Sequence, residues 1–181
     1  MPNTRFRSLT IDSPLGPLQL GASDRGLCLC EMGSPDRVST EQAQLEELLE
    51  GEATSAAEAF LEKSATELAE YFNGDRPEFT VPLDTPGSPW QRQVWAALRE
   101  IPIGTTISYG QLADRLDSPG AARAVGLANG QNRVSIIIPC HRVIDASGSL
   151  RGYGGGLENK AWLLDHEQSM AGNSLFAPAD R

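Results

Sequence analysis

Long apolar runs are missing from this sequence, and so are most of the residues that staple or metallate a small protein. No stretch approaches the roughly 18 consecutive apolar residues of a membrane span, which excludes a helical membrane protein. The first 25 residues hold no continuous apolar segment of the kind a signal peptide uses, so a cytoplasmic location is expected. Only 3 cysteines and 2 histidines occur in 181 residues. An odd cysteine count excludes a fully paired disulfide framework and leaves at least one thiol free. A structural zinc site needs four ligands at suitable spacing. Cys28, Cys30, Cys140, His141 and His166 do not offer them, so no metal and no cofactor is expected. The remainder is ordinary: 40% hydrophobic and 22% charged residues fit a soluble globular chain of one large or two small domains.

Positive charge is also scarce, with 15 Lys and Arg against 24 Asp and Glu and a formal net charge of −9. Taken whole, that balance argues against a polyanionic partner, because nucleic-acid binders usually carry a basic footprint. Resolved by position it says something else. Residues 1–86 hold six basic and sixteen acidic side chains, a net −10, whereas residues 87–181 hold nine and eight, a net +1. The split implies two domains with different electrostatic tasks, over 1–84 and 85–181.

The N-terminal half opens with three strand-like segments, RFRSLTI, GPLQLGAS and GLCLCEM, separated by turn signals. Cys28 and Cys30 are two apart on the third, which on a regular strand points both to one face. Buried, inert thiols are the expectation for both. An acidic, Ala- and Leu-rich helical region runs from about Glu41 to Phe72, and the Pro- and Gly-rich stretch Asn73 to Gly87 connects the halves. In the C-terminal half, Ser88-Pro89-Trp90-Gln91 combines an N-cap, a first-position proline and a capping-box glutamine, starting a helix to about Glu100. Ser108-Tyr109-Gly110-Gln111 is a second capping box, and its short helix ends near Leu116. After Asp117-Ser118-Pro119-Gly120, a further helix spans residues 121–130. Two short helices joined by a tight turn are a helix-turn-helix candidate, though a plain packing corner reads the same way. The β-branched run Ser135 to Ile138 predicts a buried strand. His166 reads as a surface helix residue, Arg142 as structural, and the tail after about residue 168 as mobile.

That strand delivers Pro139-Cys140-His141-Arg142-Val143. A cysteine at the mouth of a core element, beside a base and a cation, suits an activated thiolate, since a free thiol with a pKa of about 8.5 needs help to ionise. The helix of residues 121–130 is smooth, with Ala121, Ala122, Ala124 and Gly126 around the single long side chain of Arg123. Such a surface suits close approach to the minor groove, which gives little sequence information.

Ile107-Ser108-Tyr109-Gly110, Ala121-Ala122-Arg123-Ala124-Val125-Gly126, Asn129 to Asn132, Ile138-Pro139-Cys140-His141-Arg142-Val143, Gly152-Tyr153-Gly154-Gly155-Gly156 and Leu163-Leu164-Asp165-His166-Glu167 together resemble the O6-alkylguanine-DNA alkyltransferase family, bacterial type. Order and spacing agree over about residues 88–167, and Ser13-Pro14-Leu15-Gly16-Pro17-Leu18 extends the likeness more loosely. The resemblance implies an α+β fold, with a small ribonuclease-H-like sheet and helix domain followed by a helical domain with a winged helix-turn-helix. It implies a suicide enzyme that repairs DNA by direct reversal, in which Cys140 takes the alkyl group from O6-alkylguanine once and irreversibly. His141 would deprotonate Cys140 through a water, Glu167 would orient His141, and Asn132 would hold the active-site turn. Tyr109 would contact the guanine or its phosphate. Val143, Tyr153 and Gly154 would line the base pocket with Lys160 in support. Arg123, with Ala121 and Ala122 beside it, would enter the duplex as the nucleotide flips out, at a cost of a few kcal/mol. The implied partner is double-stranded DNA containing O6-alkylguanine, bound by a monomer, with cooperative binding along DNA left open and no membrane involved. Arg133 and Ser135 depart from prolines common in relatives. Two other readings stay open, a non-catalytic lesion sensor, whose family relatives have Trp at the cysteine position, and a transcription factor using the helix-turn-helix.

Overall fold

The computed structural model describes residues 4–175. Three antiparallel strands, β1 (Arg7–Ile11), β2 (Leu18–Ser23) and β3 (Gly26–Glu31), form a sheet in the order β1-β2-β3. Helices α1 (Pro35–Leu48) and α2 (Ser55–Phe72) come next. The helical region expected as one stretch from Glu41 thus starts earlier and breaks in two. Ser34 caps α1 ahead of Pro35, and the chain leaves the helix at Leu49 and turns through Gly51 at φ 82° before Thr54 caps α2. Leu45 and Leu49 cover one side of the sheet with Phe6, Cys28 and Leu29, while α2 packs on the other through Ala57, Leu61 and Leu68.

The expectation that Cys28 and Cys30 share a face fails. Gly21 pairs with Leu29 but Ala22 pairs with Leu27, so Cys28 is the extra residue of a β-bulge, which resets the alternation. Cys28 therefore faces the small cluster under α1, and Cys30 joins the main core. Both thiols are buried, and burial pushes Cys28 up to about 12 and Cys30 higher still.

The C-terminal half is built from α3 (Pro89–Arg99), β4 (Ile107–Ser108), α4 (Tyr109–Arg115), α5 (Ala122–Gly130), a 3-10 turn (Cys140–Arg142), β5 (Val143–Ile144) and α6 (Leu157–Leu175). Both capping boxes form, Ser88 with Gln91 and Ser108 with Gln111. Helices α4 and α5 make the helix-turn-helix, with Asp117 at φ 52° and Gly120 at φ 85° turning the chain between them. Trp95 donates from Nε1 to the Ala128 carbonyl (2.9 Å) and Trp90 to that of Ala124 (3.3 Å), so α3 fixes the pose of α5. The sequence predicts a mobile tail after Gln168, but helix α6 continues to Leu175; the rest of the expected tail, 176–181, lies outside the described residues. The two halves share one core cluster, which joins Leu20, Leu27 and Cys30 to Val94, Trp95, Val134, Ile138 and Leu163. No helix among the described residues is long and apolar enough to cross a membrane.

Candidate active site

The run Ser135 to Ile138 is buried as expected, yet it is a turn and not a strand. Val134 bridges to Cys30 of β3, then the chain coils on itself, with Ile138 N donating to the Val134 carbonyl (2.9 Å) and Ile137 N to that of Ser135 (2.9 Å). Ile136 sits at φ 72°, a left-handed conformation that a β-branched residue rarely adopts. Asn132 fills the concavity: its side-chain Nδ2 donates to the Ile138 carbonyl (2.9 Å) and its Oδ1 accepts from Val134 N (3.0 Å). A β-branched run dictates burial here, but local side-chain to backbone hydrogen bonds outcompete the ladder that a strand would need. The outcome is that Cys140 opens a 3-10 turn, and Cys140, His141 and Arg142 project in different directions within one buried shell.

Those directions decide the chemistry. Glu167, fully buried on α6, meets His141 Nε2 at 2.8 Å through Oε1. Arg142 donates to the same carboxylate twice, Nε to Oε2 (2.8 Å) and Nη2 to Oε1 (2.9 Å), and its Nη1 donates to the Ile101 carbonyl. Tyr71, at the end of α2, adds a hydroxyl donor to Oε1 (2.9 Å). With Nε2 donating to a carboxylate, the neutral imidazole carries its free lone pair on Nδ1. That atom is buried and has no hydrogen-bond partner. Burial pushes the His141 pKa down against the pull of Glu167, with Arg142 and Lys160 pushing the same way as burial, so the ring is neutral at neutral pH. Burial disfavours the charge on Glu167 too, but the hydrogen bonds and charges of His141 and Arg142 outweigh it and hold the carboxyl at about 2. Cys140 is buried, and that burial raises its thiol to about 11, although a hydrogen bond with the Asn132 side chain and the charge of Lys160 pull it down. The resting site is a thiol beside a neutral base, oriented by an ionised acid.

Around it, Lys160 is fully buried and clamps the loop before α6, its Nζ donating to the carbonyls of Val143 (2.8 Å) and Arg151 (3.1 Å). Tyr153 lies against the core with its hydroxyl buried and unpaired, and after burial the largest influence raising its pKa is Cys140. Tyr109, half-buried at the start of α4, is likewise raised by burial and then by Cys140, and its ring lies against Gly126 of α5, where an added Cβ would sit 3.7 Å away. Arg123 is exposed on α5 beside half-buried Ala121 and Ala122.

Three residues that sequence reasoning did not place in the site, Tyr71, Glu31 and Arg37, belong to its surroundings, and Arg142, the cation expected beside the thiol, turns to Glu167 instead. Arg142 and Tyr71 complete the Glu167 network. Glu31, fully buried at the end of β3, pairs with Arg37 Nη2 at 3.1 Å. The Arg37 guanidinium lies against the Gly154 backbone, where a Cβ would come within 2.5 Å of Arg37 Cζ, so a side chain at 154 would have to displace Arg37. Tyr71 was hidden in the apolar stripe of a helix, and no local pattern marks Glu31 or Arg37. Arg133 is held at Glu41 of α1 (Nε to Oε2 2.7 Å, close but poorly aligned for a hydrogen bond) and donates to Gln44 (2.7 Å), tying the segment that leads into the Ser135 to Ile138 turn to the N-terminal half. His166 is not a free surface residue: its ring stacks on Trp162 (centroids 4.8 Å) and its Nε2 bonds the Tyr71 carbonyl (2.8 Å).

Comparison with known proteins covers both halves. Residues 89–169 match the DNA-binding domain of 6-O-methylguanine DNA methyltransferase, and residues 7–85 match the ribonuclease-like domain of the same family. A Mycobacterium tuberculosis protein named methylated-DNA–protein-cysteine methyltransferase is 47% identical over 164 residues, 90% of this chain and 92% of the relative. The crystal structure of the Mycobacterium tuberculosis O6-methylguanine methyltransferase superposes with a TM-score of 0.75 at 42% identity, over 97% of this chain and 96% of that one. The crystal structure of Mycobacterium tuberculosis OGT in complex with DNA gives 0.74 at 44% identity, over 89% and 92%.

Proposed function

The chain belongs to the 6-O-methylguanine DNA methyltransferase family and is an enzyme of the methylated-DNA–protein-cysteine methyltransferase type, and we propose that it repairs O6-alkylguanine in duplex DNA by one irreversible transfer to Cys140. The observation that carries this reading is the buried assembly of Cys140, neutral His141 and ionised Glu167.

In the reaction, His141 Nδ1 accepts the Cys140 proton through a water, as the imidazole is held by Glu167. The thiolate sulfur attacks the alkyl carbon in line with the departing oxygen. A carbon–sulfur bond forms, the bond from that carbon to guanine O6 breaks, and the electron pair leaves with guanine. The proton lost by the thiol balances the charge on guanine, and the Tyr109 hydroxyl stabilises it. The thioether has no route back, so each molecule acts once. Asn132 keeps the turn that aims Cys140, and Val143, Tyr153, Gly154 and Lys160 shape and support the base pocket.

Reaching O6 in this way requires the base out of the stack. Helix α5 supplies a small-residue surface at Ala121 and Ala122 for the minor groove, and Arg123 fills the gap left by the flipped nucleotide. In this reading residues 1–84 are the structural unit and 85–181 carry DNA contact and chemistry, in a cytoplasmic monomer. A lesion sensor is disfavoured because a thiol, not an indole, stands at position 140. Cys140→Ala is expected to lose all transfer of label from alkylated DNA while keeping duplex affinity within about threefold. Label on the Cys140→Ala protein would reject Cys140 as the nucleophile.

A further inference from the structure

We propose that Tyr71, contributed by the N-terminal half, is a positioning residue for the transfer: its hydroxyl fixes and shares the Glu167 carboxylate that orients His141. The inference rests on the reading of Cys140 as the nucleophile and His141 as its base.

Three donors converge on Glu167 Oε1, namely His141 Nε2 (2.8 Å), Arg142 Nη2 (2.9 Å) and the Tyr71 hydroxyl (2.9 Å). Packing does not call for that hydroxyl. The fully buried ring is held by Phe72 and Phe79 (centroids 5.4 Å for each) and by His166 (5.2 Å). A phenylalanine would make the same ring contacts without the cost of burying an oxygen that must then be hydrogen-bonded. The backbone of residue 71 is pinned as well, its carbonyl held by His166 Nε2 (2.8 Å), so the phenol is aimed and has little freedom to turn elsewhere.

The consequence is electrostatic. A carboxylate facing His141 with undivided charge favours the imidazolium, which cannot act as a base. Each further donor to the carboxylate weakens that pull. The charged and titratable groups around the ring are Glu167 on α6, Arg142 and Cys140 on the 3-10 turn and Lys160 on α6; Tyr71 reaches the carboxylate from α2, with His166 behind it. Arg142 and Lys160 oppose protonation of His141 by their charge, and Tyr71 does so by drawing on Glu167. The N-terminal half thereby takes part in setting the base.

The test uses the full-length protein. Single-turnover transfer from an O6-methylguanine duplex is measured from about pH 5 to 9 in wild type and Tyr71→Phe, and the His141 side chain of unreacted protein is titrated by NMR. Both the low-pH limb of the rate and the His141 midpoint are expected to move up by about half to one pH unit. The variant would then be about 3- to 10-fold slower on the limb and within about twofold at pH 8. Uniform slowing at every pH with an unmoved His141 midpoint, or no change at all, would overturn the inference. Should Tyr71→Phe fail to fold, 3-fluorotyrosine placed at position 71 provides a stronger donor, and both midpoints must move down; unchanged midpoints again overturn it. If wild-type Cys140 gains no methyl group, the transfer reading fails by itself, while the His141 titration still decides whether Tyr71 tunes the ring.

Discussion

Among the described residues two carboxylates, Glu31 and Glu167, stand at 0% exposure, one in each half, and they are held in opposite ways. Glu167 in the C-terminal half accepts from His141, twice from Arg142 and from Tyr71, and the hydrogen bonds and charges of His141 and Arg142 hold it at about 2 in spite of burial. Glu31 in the N-terminal half has Arg37 and the Met32 amide, which do not offset its burial, so its pKa is raised. The difference separates a carboxylate whose charge the fold is built around from one whose charge the fold tolerates. The first orients the base of the proposed transfer. The second holds Arg37, which lies against the Gly154 backbone, and adds negative potential that raises the Cys140 thiol.

The contrast yields predictions of decreasing size. Glu167→Gln strands the buried Arg142 guanidinium without its counter-charge, and breaking such a pair costs about 3–5 kcal/mol. Urea unfolding is expected to show that loss, with transfer reduced at least 100-fold. A change below about 1 kcal/mol would dissolve the contrast. Arg123→Ala touches neither carboxylate. It should slow transfer from duplex DNA by about tenfold or more, because only the duplex requires flipping, and leave transfer from a free alkylated base within about twofold. Equal slowing on both substrates would contradict the wedge role.

Glu31→Gln is the smallest perturbation, expected within about 1 kcal/mol at neutral pH, since the Arg37 side chain left behind keeps 29% exposure and access to solvent. Its pH dependence sharpens the comparison. Because the folded pKa of Glu31 is raised, protonation favours the fold, and stability from this group declines as pH rises through the folded value. Wild type should therefore gain on Glu31→Gln as pH falls from about 7 toward 4. Glu167 has the opposite sign: its contribution is complete above the ordinary carboxylate value and is lost as pH falls toward about 2. Parallel pH profiles for the two substitutions, measured by thermal unfolding, would show that the two carboxylates are held alike.

Much of the C-terminal half was legible because its signals are local. Ser88 and Ser108 cap the helices they were expected to cap, and the turn at Asp117 to Gly120 joins α4 to α5. His141 and Glu167, 26 residues apart, meet at 2.8 Å as the family likeness implied. The misreadings share a physical cause, a non-local or one-residue effect that periodicity averages away. The Ser135 to Ile138 turn depends on the amide of Asn132, and the parity of Cys28 and Cys30 on a single bulge residue. Tyr71 lies in the buried stripe of α2 because its ring is core, and only its oxygen reaches Glu167, 96 residues along the chain. The acidic balance of the N-terminal half suggested separate tasks, yet one core and the Tyr71, Arg37 and Arg133 contacts join the halves.

The central claim is a single transfer to one of three buried thiols. Intact-mass and peptide measurements after incubation with excess O6-methylguanine duplex test it most directly. One methyl group per molecule is expected, on the Cys140 peptide, with Cys28 and Cys30 unmodified and no further lesion repaired once that site is filled. Repair of more than one lesion per molecule, or a methyl group on Cys28 or Cys30 in place of Cys140, would contradict it.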